Sequence, residues 1–220
     1  MTMFFPGSGR GRRLGAAVLL QAALMPPAAL CHPGAPHAAP ASPPALARSA
    51  GLYRPAAAPI ALTRADGKRV SLADELAFDG PVLLNFVFTT CSAVCPIASR
   101  TFAEVQAKLA HGERVLMISI SLDPLNDTPA VLRAYARKFG AGPDWRFYTG
   151  SVDASAAAQS AFDLYRGDKM NHAPVTLVRP GHGGAWVRLE GFPSAAQLLD
   201  ELRAAPAVRV AGAVAVGEIR

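Results

Sequence analysis

The sequence predicts an α/β domain, in which a mixed central sheet is flanked by helices and a β-hairpin lies at the N-terminal end. Three observations lead to this prediction. Two short alternating runs flank Asp66-Gly67, a strong short-range signal for a hairpin. Two continuous apolar runs, PVLLNFVF and RVLMISIS, are typical of strands buried on both faces. Segments with helical spacing of apolar residues alternate with such runs, as they do where helices connect the strands of a sheet.

Length and composition allow one domain of this class. The chain has 220 residues, of which 51% are hydrophobic and 17% are charged, so it is too apolar for a disordered protein. Three cysteines are too few for a disulfide scaffold, so each must be interpreted by its chemistry. The net charge of +6 falls to +3 without Arg10, Arg12 and Arg13, and no basic stripe with interleaved aromatic residues remains. The composition therefore argues against a nucleic-acid partner.

The N-terminal part is predicted to lie outside the domain. Residues 1–31 are typical of an export signal, because a basic start precedes an apolar run too short to cross a bilayer. We expect cleavage, with a retained anchor as the alternative. Residues 32–59 are rich in Ala and Pro, which predicts an extended linker with no part in the core. His32 and His37, beside Cys31, could bind a metal, but we interpret them as leader and linker.

The predicted domain spans residues 60–205. The central strand PVLLNFVFTT follows the hairpin, and the next helix ends at Gly112. Its apolar face consists of Ala98, Phe102, Val105 and Leu109. After the strand RVLMISIS, Thr128 is expected to cap a helix that has proline at its first position. The apolar face of that helix is predicted to consist of Val131, Leu132, Tyr135 and Phe139.

The C-terminal half is predicted to continue in the same way. A strand near Trp145–Tyr148 precedes a helix that ends near Tyr165. The strands PVTLV and AWVRL flank a glycine-rich turn and form a second hairpin. Ser194 and Gln197 are spaced as a capping box before a final helix. The tail, residues 206–220, is left unassigned.

Two cysteines occupy the junction between the central strand and the following helix. Cys91 and Cys95, in the segment CSAVCP, can both face one side of a loop that enters a helical turn. A helix N-terminus stabilises anions, so at least one thiol is expected to ionise more readily than a free cysteine. Adjacent thiolates exchange with disulfides or bind a soft metal such as Cu(I). Two buried cysteines or a structural disulfide are the simpler alternatives.

A histidine is expected to approach the same place. His172 lies just before the strand PVTLV. If that strand runs antiparallel beside the central strand, its start lies near the end where the cysteines are. The imidazole is then within reach of both thiols. We expect His111 and His182 to be exposed, and Met170 to pack against the protein rather than bind a metal.

The order of three motifs resembles the Sco/SenC family of thioredoxin-like proteins. The motifs are LLNFVFTTCSAVCP, then ISISLDPLNDTP, then a histidine before a late strand, and the resemblance covers residues 60–202. It implies a thioredoxin-like fold and one copper ion, Cu(I) or Cu(II), whose ligands are Cys91, Cys95 and His172.

The acidic positions of the second motif carry over to two aspartates. They fall on Asp123 and Asp127 in the segment DPLNDTP. We expect Asp127 to shape the turn before Thr128. Asp123 is expected to orient the site without touching the metal.

The resemblance also implies a function. It predicts an exported metallochaperone, rather than an enzyme, that delivers copper or reducing equivalents for assembly of the copper centre of a respiratory cytochrome c oxidase. Its expected partner is the copper-accepting subunit of the oxidase or another copper chaperone. It is expected in the bacterial periplasm or on the outer face of the inner membrane, with membrane association only through an uncleaved N-terminal segment.

Two departures from the family pattern keep other functions open. The family usually has an aspartate directly before the histidine, where this chain has Asn171. The segment His172-Ala-Pro174 is similar to the cis-proline loop of thioredoxin. Both departures favour a thiol–disulfide reductase that acts on target cysteines, through Cys91 and Cys95, in the same compartment. A redox or copper sensor is a third possibility.

Overall fold

A computed structural model describes residues 46–51, 53, 60–181 and 185–204. The strands of the described chain are β1 (Ala47–Gly51), β2 (Ala61–Arg64), β3 (Arg69–Ser71), β4 (Val82–Val87), β5 (Leu116–Ser121), β6 (Trp145–Gly150), β7 (Val175–Arg179) and β8 (Trp186–Glu190). The helices are α1 (Leu72–Leu76), α2 (Val94–Lys108), α3 (Pro129–Lys138), α4 (Val152–Ser160) and α5 (Ala195–Arg203). A short 3-10 helix spans Lys169–Asn171.

The strands form one mixed sheet, which confirms the predicted class. The order is β1-β8-β7-β4-β5-β6-β2-β3. Strands β4, β5 and β6 are parallel, whereas β7 runs antiparallel to β4. Because β7 runs antiparallel beside β4, the last residues of β4 lie next to the first residues of β7.

Two hydrophobic clusters cover the sheet, and alternate positions of β4 and β5 contribute to them. Leu84, Phe86 and Ile118 belong to one cluster, which also contains Cys95. Leu83 and Met117 belong to the other, beneath α2, α3 and α5. All six residues of β4 and of β5 are buried, as the unbroken apolar runs predict.

Most predicted elements are present. The hairpin β2–β3 turns at Asp66-Gly67, where Gly67 has a φ of 94° that favours glycine. Strands β7 and β8 form the second hairpin. The Thr128 side chain accepts from the Val131 backbone at the start of α3, and Ser194 and Gln197 form the expected capping box.

Three predictions about the elements are wrong. Val131 is 38% exposed, because it lies on the outer side of α3 and only its neighbours contact the core. Helix α4 ends at Ser160, well before Tyr165. Residues 32–59 are not linker throughout, because β1 pairs with β8 along its whole length. Residues 1–31 and the tail 206–220 lie outside the described residues. No helix in the described ranges is long and apolar enough to span a membrane.

Candidate metal centre

The two cysteines lie where the central strand meets α2. Cys91 belongs to the loop that follows β4, and Cys95 is the second residue of α2. The backbone N–H of Cys91 donates to the carbonyl of Phe88, and the N–H of Cys95 donates to the Cys91 sulfur at 3.4 Å. Both residues are free thiols. The loop therefore folds back so that the start of α2 faces the first sulfur.

The two thiols have different environments. Cys91 is half-buried, whereas Cys95 is only 3% exposed. Burial would raise the pKa of Cys91, but hydrogen bonds from the backbone of Cys95, Ala93 and Val94 outweigh it and lower that pKa. Burial, helped by the neighbouring Cys91, raises the pKa of Cys95 to about 12. Cys91 thus ionises more readily than an ordinary cysteine, in agreement with the prediction, whereas Cys95 is kept neutral.

His172 follows the 3-10 helix and precedes β7. It is half-buried, and its Nδ1 is a buried atom with no hydrogen-bond partner among the described residues. Burial, together with the charges of Arg166 and Arg188, lowers the pKa of His172 to about 4. The imidazole is therefore neutral at neutral pH, which is the form that binds metals.

One groove brings the imidazole and the buried thiol together. His172 and Cys95 both line it, beside Phe86, Val94 and Pro174. Strand β7 does pair antiparallel with β4, which meets the condition under which the sequence predicts that His172 approaches the cysteines. Within the described ranges, however, no three His, Cys, Asp or Glu side chains already converge as a metal site. The assignment of Cys91, Cys95 and His172 as ligands thus remains a prediction.

The other candidates are spread over the molecule. His111 is exposed, as expected, and His182 lies outside the described residues. The expectation that Met170 packs against the protein is wrong, because 71% of it is exposed. It extends from the 3-10 helix just before His172, where there is no core to cover it.

Asp127 holds the loop between β4 and α2, residues 88–93, which contains Cys91 and is called the cysteine loop below. Its carboxylate is fully buried and accepts hydrogen bonds from Thr89 at both the backbone N–H and the hydroxyl, the latter at 2.6 Å. The hydroxyl of Ser121 donates to it as well, at 2.6 Å. The predicted role at the turn before Thr128 is incomplete, because the side chain also ties the end of β5 to the loop after β4.

Asp123 contacts the segment that carries the histidine. Lys169 Nζ donates to Asp123 Oδ2 at 2.6 Å, and Asn126 donates to both carboxylate oxygens. Burial would raise the pKa of Asp123, but these hydrogen bonds lower it. No pattern in the sequence indicates this role of Lys169, because 46 residues separate the lysine from Asp123.

The chain is similar in sequence to proteins whose family is known. A family model described as SCO1/SenC matches residues 54–182, which is more than half of the chain. The chain belongs to the SCO1/SenC family. A SCO1 protein homolog from Bacillus subtilis is 38% identical over 95 residues, which make up 42% of this chain and 48% of that relative. The match thus spans about half the length of this curated relative.

Solved structures share the fold of this SCO1/SenC protein. Bradyrhizobium japonicum ScoI with copper bound has a TM-score of 0.54 at 26% identity, over 66% of this chain and 98% of that chain. BsSco, described as having a disulfide switch and as a member of the Sco family of cytochrome c oxidase assembly proteins, has a TM-score of 0.51 at 28% identity. That match covers 64% of this chain and 88% of BsSco. The fold is therefore thioredoxin-like, as predicted.

Proposed function

We propose that this protein is a copper metallochaperone whose cargo is held by Cys91, Cys95 and His172. The observation that carries the proposal is the placement of a neutral imidazole and a buried thiol in one groove, with the sulfur of Cys91 hydrogen-bonded to the backbone at the start of α2. The copper-bound ScoI structure supports copper as the cargo.

The donor set fits copper. Two sulfurs are soft ligands that suit Cu(I), and an imidazole nitrogen suits Cu(II). The orphaned Nδ1 of His172 gives the imidazole an unused nitrogen inside the protein. Such a site, with Cys91 and His172 both on connecting segments, holds copper and still leaves room for an incoming ligand to attack.

Membership of the SCO1/SenC family supports a proposal for the role and the compartment. We propose that the chain is exported through residues 1–31 and acts in the periplasm or on the outer face of the inner membrane. There it passes copper or reducing equivalents to the copper-accepting subunit of a cytochrome c oxidase, or to another copper chaperone. The description of BsSco as belonging to a family of oxidase assembly proteins supports this role.

A second candidate function is thiol–disulfide exchange with cysteines of the target. The observation that favours it is the unequal exposure of the two thiols, since Cys91 is open to an incoming disulfide and Cys95 is buried behind it. In this reaction the Cys91 thiolate attacks the target disulfide, forms a mixed disulfide and releases one target thiolate. Cys95 then loses its proton to that thiolate and attacks the Cys91 sulfur, which releases the second target thiol and leaves a Cys91–Cys95 disulfide, so the protein becomes oxidised and the target becomes reduced.

Copper titration of the reduced full chain tests both functions. The wild type is expected to bind a single copper ion, and Cys91→Ser or Cys95→Ser to lose it. His172→Ala is expected to lose the thiolate-to-Cu(II) absorption, to hold Cu(I) more weakly and to reduce a disulfide substrate at an unchanged rate. His111→Ala is the matched control, because that histidine is exposed. Full stoichiometry in both cysteine variants would overturn the copper assignment, and a collapse of reductase activity in His172→Ala with Cu(II) binding intact would favour the reductase.

A further inference from the structure

Lys169 contacts both segments that carry the proposed ligands. It opens the 3-10 helix that leads to His172, and its Nζ bonds Asp123 at 2.6 Å. The same ammonium lies 5.6 Å from the centre of the Phe88 ring, at the start of the cysteine loop. A cation at this distance from an aromatic face is attracted to it. One side chain therefore joins the histidine segment to the cysteine loop.

The partner of Lys169 is rigidly held. The side chain of Asp123 is only 7% exposed, and Asn126 donates to both of its oxygens. The backbone N–H of Asp123 donates to the hydroxyl of Ser121 at 2.9 Å, and that hydroxyl also donates to Asp127. Because these hydrogen bonds hold the acceptor, the ion pair orients the Lys169 side chain as well.

The histidine segment, which consists of the 3-10 helix Lys169–Asn171 and His172, has few stabilising contacts within itself. Its 3-10 helix has three residues, and the Asp168 side chain caps it through the backbone N–H of Met170 at 2.8 Å. Asn171 and Met170 are both exposed. A helix this short is not stable without tertiary contacts. The contacts of Lys169 therefore help to attach the 3-10 helix to the domain, alongside the edge-on packing of the His172 ring against Phe86.

We propose that Lys169 is a positioning residue for the metal centre. Its ion pair with Asp123 and its contact with Phe88 set the distance between the His172 imidazole and the two sulfurs. The lysine does not bind the metal itself. This inference rests on the proposed copper function, and it concerns only the contribution of the histidine.

Loss of the lysine contacts should affect the two copper states differently. The sulfurs stay in place without Lys169, because Asp127 holds their loop through Thr89. Cu(I) can remain on two thiolates, whereas Cu(II) needs the imidazole. Removing a group that orients a ligand typically costs about 10–100-fold in metal affinity. A loss of that size is expected for Cu(II), and only a much smaller one for Cu(I), which two thiolates can hold without the imidazole.

The test compares Lys169→Met, Lys169→Arg and Lys138→Met in the full chain. Lys138 is the matched control, because its Nζ also lies 5.6 Å from a phenylalanine ring but at the far end of α3. Each variant is titrated with Cu(II), with thiolate-to-copper absorption as the readout, and with Cu(I) against a competing chelator. Lys169→Met is expected to weaken Cu(II) binding about 10–100-fold, to shift the absorption and to leave Cu(I) affinity nearly unchanged. Lys169→Arg should restore most of the loss, and Lys138→Met should behave as wild type.

Two outcomes would overturn the role of Lys169 without affecting the proposed copper function. One is wild-type Cu(II) affinity and absorption in Lys169→Met. The other is an equal loss of Cu(I) and Cu(II) affinity together with a lower free energy of unfolding, which would mean that the lysine merely stabilises the fold. A wild-type chain that binds no copper would instead overturn the proposed function on which the inference rests.

Discussion

At the scale of single residues, the chemistry of the site depends on how differently the protein surrounds two identical side chains. Cys91 and Cys95 lie on the same loop-to-helix junction, yet only Cys91 is reached by solvent. The backbone N–H groups of α2 are directed at the Cys91 sulfur, and Cys95 lies in the hydrophobic cluster that contains Phe86. A thiolate is therefore stabilised at one position and disfavoured at the other.

Alkylation of the reduced, metal-free protein is expected to modify Cys91 much faster than Cys95. The reason is that the thiolate reacts, and only Cys91 combines exposure with a lowered pKa. Its rate should reach a plateau at a lower pH than that of an ordinary cysteine. Limited iodoacetamide labelling followed by peptide mass mapping measures both positions. The urea-unfolded chain is the control and should react equally at both, and equal rates in the folded protein would contradict the prediction.

Asp127→Ala is expected to lower the free energy of unfolding by about 2–4 kcal/mol, because three donors lose a buried charged acceptor. Urea unfolding of the metal-free protein measures the change. Asp200→Ala on the exposed side of α5 should change stability by less than about 0.5 kcal/mol. A similar effect of the two substitutions would mean that the hydrogen bonds to Thr89 and Ser121 do not anchor the loop.

At the scale of elements, the sequence predicts those parts whose signal is local. The capping box of α5 and the hairpin at Asp66-Gly67 are each specified by residues a few positions apart. Strand β1 was missed because its segment, ARSAG, has no apolar alternation and four of its five residues are exposed. It is held by backbone pairing at the edge of the sheet, and such pairing leaves no pattern in the side chains.

Ser194→Ala is expected to destabilise the protein by about 1 kcal/mol, because the first turn of α5 loses its cap. The Ser194 hydroxyl accepts from the Gln197 backbone, and Gln197 accepts in turn from the Ser194 backbone at 2.8 Å. Ser160→Ala at the end of α4 is the matched control, since that hydroxyl only donates back to Ala156. It should be neutral or slightly stabilising. Equal midpoints of urea unfolding for both variants would contradict a stabilising role for the box.

At the scale of the whole molecule, the order and direction of the strands bring the residues of the site together. That His172 approaches the cysteines could be predicted on the condition that β7 runs antiparallel beside β4, and the structure meets this condition. The contacts that hold these segments could not be predicted. Asp127 and Thr89 are 38 residues apart, and Lys169 and Asp123 are 46 apart, so each pair depends on the full chain path and on side-chain conformation.

Copper binding is expected to raise the thermal midpoint of the protein, because folding alone brings His172 to the cysteines. A ligand present at 100 times its Kd stabilises the folded state by about 2.7 kcal/mol, provided that it does not bind the unfolded chain. For a domain of this size that corresponds to about 5–10 °C. Cys91 and Cys95 are close in sequence and remain close after unfolding, so a site made of sulfurs alone would stabilise the unfolded chain too and give a smaller shift.

The effect of His172 on the copper-induced rise of the thermal midpoint therefore shows whether the folded site has three ligands. Thermal unfolding of the reduced chain with Cu(II) should show the full shift in the wild type and a clearly smaller one in His172→Ala. Addition of a chelator should abolish both shifts, and His111→Ala should match the wild type, because its imidazole is exposed. Equal shifts in the wild type and His172→Ala would mean that the two sulfurs bind the metal without the histidine, and that the fold does not assemble the site.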